Sequence, residues 1–65
     1  MSEARRQERR EALHMMKNYL GISVGFCDLL MADLPPGDQM LEDLQAVRDA
    51  NLAALDLLPR LGDDD

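Results

Sequence analysis

The chain has almost no aromatic residues, no tryptophan, and one each of tyrosine, phenylalanine, histidine and cysteine. Any core must therefore be built from Leu, Met, Val, Ile and Ala. A lone Cys27 cannot close an internal disulfide, and no cysteine pair with metal-ligand spacing exists. A reducing, cytoplasmic setting fits that usage. Long apolar runs are also missing. The longest, Leu20 to Cys27, is far short of the ~20 residues that cross a bilayer. Met1 to Arg10 is polar throughout, so no secretory leader is expected and no membrane partner either. Phosphate-cradling glycine loops, hydrolase elbows and calcium loops are lacking as well. The expectation is a protein that is not an enzyme and takes no cofactor or metal.

What is present is helical patterning and acid. The 65 residues carry a net charge of −6, and 46% of them are hydrophobic. One small all-α domain over residues 1–65 follows from that length. Charge is divided unevenly: residues 1–20 sum to +2 and residues 21–65 to −8. A basic head joined to an acidic body points to charged partners or to self-association.

Residues 3–32 read as one helix with Ser2 as its N-cap. Leu13, Met16, Leu20, Ser23, Cys27, Leu30 and Leu34 step by three and four and form one stripe. Met15, Tyr19, Ile22, Phe26, Leu29 and Met31 widen it. Gly21 and Gly25 interrupt this helix, as a kink, a break, or a flat spot for a neighbouring helix. Leu34-Pro35-Pro36-Gly37-Asp38 marks a turn over 33–38. A second helix is expected over about 38–58, with its stripe on Leu41, Leu44, Val47, Arg48, Asn51, Leu55 and Leu58, flanked by Met40, Ala54 and Leu61. Asn51 near the middle of that seam is either a boundary residue facing water or a register-fixing polar contact. Residues 59–65 read as an acidic tail. The short turn implies an antiparallel hairpin. The first helix carries more apolar surface than the second can cover. Two solutions follow: a three-segment bundle bent at the glycines, or a homodimeric four-helix bundle.

Few residues offer chemistry. His14 and Cys27 lie ~20 Å apart on a continuous helix, too far for a dyad. Glu11 and His14 have the Glu-x-x-His spacing of carboxylate-bridged metal bundles, but Glu42 is the only glutamate on the second helix. Arg5 and Arg9, and Arg6 and Arg10, project as i,i+4 pairs, yet interleaved glutamates oppose direct nucleic-acid binding. The acids are the strongest signal. Glu42, Asp49 and Asp56 recur every seven residues and make one line spaced ~10.5 Å apart. Asp43 widens the line, and Asp28 and Asp33 add charge on the first helix. These six are the candidate partner-binding residues. They suit a basic protein surface built for nucleic-acid phosphates, contacted quickly and salt-sensitively.

Two resemblances accompany that reading. Arg60-Leu61-Gly62-Asp63-Asp64, with Asp38-Gln39 opening the last helix, resembles the Rop family of plasmid copy-number regulators. The likeness covers the C-terminal third. It implies a dimeric helical hairpin that binds RNA through its first helix, with Tyr19 near Lys17 and Asn18 as the contact. Gly21, Gly25, Pro35, Pro36 and Pro59 depart from that family's pattern. As a tiny, acidic, all-helical chain, the protein also resembles phage-encoded inhibitors of the type I anti-CRISPR class. That resemblance rests on Asp28, Asp33, Glu42, Asp43, Asp49 and Asp56. It implies a DNA mimic that blocks a Cas subunit of a surveillance complex in the host cytoplasm. The leading expectation is such an inhibitor; the alternatives are a Rop-like RNA-binding regulator and an assembly or adaptor hairpin.

Overall fold

Two helices account for the fold in the computed structural model, which describes residues 2–62. α1 spans Glu3–Asp33 and α2 spans Gln39–Gly62. Ser2 starts α1 as expected. Its hydroxyl accepts from the Arg5 N–H at 3.3 Å, which satisfies one of the donors a helix start leaves open, and its carbonyl accepts the first intrahelical bond, from the Arg6 N–H at 3.2 Å. The end of α1 is set by Pro35, which forces Leu34 into extended backbone. Gly37 then adopts φ +85°, a left-handed conformation that a side chain would strain. Asp38 caps α2, its carboxylate accepting from the Met40 N–H at 2.8 Å.

The turn reverses the chain, so α2 lies antiparallel along α1. The particle measures 52 × 15 × 10 Å, with a radius of gyration of 15.6 Å. A compact chain of this length would have a radius of gyration of about 11 Å. The molecule is a rod with one seam.

α1 is continuous through Gly21 and Gly25. That removes the three-segment bundle. The helical pattern simply stays in phase across both glycines, and a propensity cost of ~1 kcal/mol at each is too small to break a 31-residue helix packed along a partner. Neither glycine is a flat spot within the hairpin, because a Cβ built on either meets nothing within 4 Å.

The seam is rotated slightly from the expected one. Leu13, Leu20, Ser23, Val24, Cys27 and Met31 on α1, with Leu34 just past its end, are buried or half-buried, while Met16 and Leu30 are exposed. On α2 the half-buried or buried set is Leu41, Leu44, Arg48, Asn51, Ala54, Leu55 and Leu58, and Val47 is exposed. Two polar residues of α2 are therefore true seam members. Asn51 donates from Nδ2 to the Ser23 hydroxyl at 2.6 Å, which favours the register-fixing role over a solvent-facing one. Arg48 lays its stem on the seam and reaches Asp28, Nε to Oδ1 at 2.7 Å.

α2 does not stop at Leu58. It continues through Pro59 to Gly62, four residues beyond the expected end, and residues 63–65 of the acidic tail lie outside the described residues. Pro59 is exposed, so the bond it cannot donate to Leu55 is lost on the solvent side. Leu58 is 7% exposed and anchors that turn on the seam. The Arg9 guanidinium donates to the Leu61 carbonyl and ties the open end of the hairpin together. Cys27, 5% exposed, and Leu58 are the only fully buried hydrophobic residues among those described.

Two expectations follow for stability. Gly21→Ala and Gly25→Ala should each raise it by up to ~1 kcal/mol in urea unfolding, since propensity is gained and no neighbour is displaced. A loss of stability at either site would reveal a close contact. Ser23→Ala should cost about 1 kcal/mol by stranding the Asn51 amide, whereas Ser23→Ala with Asn51→Leu should recover most of it. A double-mutant cycle with zero coupling would exclude that bond.

Candidate functional site

The six candidate acids are all exposed, but they do not share one surface. At about 100° per residue, Glu42, Asp49 and Asp56 fall on the back of α2, more than ~110° from its seam. They form the expected line, one carboxylate every ~10.5 Å. Asp49 accepts from the Gln45 side-chain amide at 2.8 Å, and Asp56 lies 3.6 Å from Arg60. Both contacts are local i,i+4 pairs that hold the carboxylates outward without covering them.

The other three acids are placed elsewhere. Asp28 is bound to Arg48 across one edge of the seam, so its charge is matched within the fold. Asp33 is the last residue of α1, and Asp43 sits in the first turns of α2. Both lie toward the opposite edge, at the turn end. The Asp28–Arg48 pair makes this sidedness concrete. On each helix its members are displaced from the seam in the sense in which the helix winds. In an antiparallel pair, equal senses land on the same side.

The Asp28–Arg48 side also holds a groove of about 460 Å³ lined by Arg10, Leu13, His14, Lys17, Leu55, Leu58 and Pro59. Its floor is apolar and its α1 rim is basic. Lys17 belongs to this side. Tyr19 lies on the other, ~160° around α1 from Lys17. The aromatic-plus-basic contact implied by the Rop resemblance is therefore split between opposite sides of the hairpin. His14 and Cys27 stay thirteen residues apart on one unbroken helix. Among the described residues, no three His, Cys, Asp or Glu side chains come together as a metal-ligand group, and no helix is long and apolar enough to cross a membrane.

α1 also carries an exposed apolar surface away from the seam. Met15, Tyr19, Ile22, Phe26 and Leu29 are 50–62% exposed. They step four-three-four-three and make a second stripe on α1, roughly 130° from the seam. The signal was in the sequence, but there the residues merge with the seam as a wider apolar face. Only the position of α2 separates the two stripes. In the sequence Arg9 is simply one member of the basic head, and its bond to the Leu61 carbonyl needs the hairpin to be seen.

In comparison with known proteins, the chain matches no family model, no curated protein and no solved structure.

Proposed function

We propose that this chain is a non-catalytic binding protein that uses the back of α2 to occupy a basic, nucleic-acid-binding surface on another protein. The observation behind the reading is the line Glu42, Asp49 and Asp56. These carboxylates are exposed on a helix back that takes no part in the seam. α1 braces that helix along its length, so the carboxylates are held on a rod and lose little freedom on binding. A rigid row of negative charge competes with a phosphate strand for Lys and Arg side chains. Association should be fast and weaken with salt.

Asp28 takes no direct part in this scheme, since its carboxylate already serves Arg48. Asp33 and Asp43 add to the field from the turn end without extending the row. The resemblance to type I anti-CRISPR inhibitors would make the basic surface the DNA-binding groove of a Cas subunit.

The test is retention and displacement. The immobilised chain should retain a basic nucleic-acid-binding protein from a bacterial lysate at low salt and release it at high salt. It should displace labelled DNA from that protein once purified. The triple variant Glu42→Lys, Asp49→Lys, Asp56→Lys should lose displacement by at least tenfold while its helical circular dichroism persists. Asp28→Asn should displace DNA normally. Undiminished displacement by the triple variant would refute the proposal.

A further inference from the structure

We infer that the exposed apolar side of the hairpin is the interface for a second copy of this chain, packed antiparallel across a two-fold axis at the level of Ile22 and Ala54. The first support is that the apolar surface is continuous across both helices. α2 carries a second stripe of its own: Val47, Ala50, Ala54 at the half-buried edge of the seam, Leu57 and Leu61 step three-four-three-four. Val47, Leu57 and Leu61 are about half exposed. This stripe lies roughly 110° from the α2 seam, and the α1 stripe roughly 130° from its own. Both are displaced against the sense in which their helix winds. They therefore share the side opposite the Asp28–Arg48 pair, by the same geometry that brings that pair together. Between Met15 and Leu29, and between Val47 and Leu61, no charged residue falls on either stripe.

The second support is area. The hairpin exposes 5030 Å². A compact globule of its 7.3 kDa mass would expose ~4,200 Å². The excess, ~800 to 900 Å², matches the ~800 Å² that each partner contributes to a stable interface. With only Cys27 and Leu58 fully buried among the described residues, the isolated hairpin lacks the interior that a small domain needs.

The third support is that the two stripes have one common centre. The Ser23–Asn51 and Asp28–Arg48 bonds fix the register and put Ile22 level with Ala53 and Ala54. The α1 stripe runs seven residues either way from Ile22, and the α2 stripe seven residues either way from Ala54. One two-fold axis across the rod at this level makes both stripes self-complementary, as an isologous interface requires. Met15 then faces Leu29 of the second copy, Tyr19 faces Phe26, and Ile22 faces itself. On the other helix Val47 faces Leu61, Ala50 faces Leu57, and Ala54 faces itself.

Charge selects the antiparallel arrangement. The turn end, residues 21–51, holds six acids and one base; the open end, residues 3–20 and 52–62, holds six bases and four acids. A parallel pair would gather Asp33 and Asp43 of both copies in one layer. The antiparallel pair separates them by ~33 Å and sets each acidic turn against a basic open end. It brings Asp33 near Glu11 of the second copy, at a solvated rim where screening is strong. The Glu42–Asp49–Asp56 row stays uncovered on the outside of the four-helix bundle, so this inference stands or falls apart from the proposed function.

Analytical ultracentrifugation of the full chain should give twice the chain mass at micromolar concentration. Tyr19→Glu with Phe26→Glu should shift it to the monomer mass. Ile22→Cys, oxidised, should give a covalent dimer on a non-reducing gel, while Leu29→Cys, ~21 Å from its own copy across the axis, should give none. Wild type serves as the control for the buried Cys27 thiol. A monomer mass for wild type at all concentrations, including a chain that pairs only with some other protein, would overturn the inference. A dimer that links through Leu29→Cys and not through Ile22→Cys would overturn the antiparallel centre.

Discussion

Two antiparallel helices share a single line of contact, and this geometric limit governs the molecule. A helix that packs against one neighbour hides roughly a third of its circumference. The chain commits nearly half of its residues to apolar side chains, and one seam cannot absorb them. Cys27 and Leu58 are sealed, a ring of leucines is half covered, and a second set of large side chains is left facing outward. Stability and interaction are thus tied to the same surplus of apolar surface.

The polar members of the seam supply what the leucines cannot. Leu and Met side chains slide over one another with little penalty, so a leucine-rich hairpin has several near-equal registers. The Ser23–Asn51 hydrogen bond and the Asp28–Arg48 pair each accept only one. Their energies are modest, since the pair is solvent-exposed and one hydrogen bond is worth about 1 kcal/mol. Their value is geometric. They set Ile22 level with the small residues of α2 and thereby decide where the outward stripes of the two helices coincide.

The layout separates two kinds of surface. Apolar side chains face one side, the acidic row faces away from it, and the basic rim of the groove lies by the open end. Contacts made by dispersion and desolvation therefore need not compete with contacts made by charge. A bundle of two copies would carry two acidic rows on its outside.

The helix starts at Ser2 and Asp38, the turn at Pro35 to Gly37, and the all-α hairpin plan are local matters, legible from capping chemistry, proline stereochemistry and three-four spacing. The line of Glu42, Asp49 and Asp56 was legible for the same reason, because a seven-residue repeat on a helix is a line whatever lies nearby. Sequence could not say which of two overlapping three-four patterns on α1 would be the seam, because Met16 and Leu30 fit as well as Val24 and Met31 until α2 is in place. Nor could it show that Asp28 is matched by Arg48 twenty residues away, that Arg9 serves the last turn of α2, or that Lys17 and Tyr19 face opposite sides. Each of those depends on the rotation of one helix about its axis relative to the other. That rotation is a property of the pair, set by how side chains from distant parts of the chain interlock.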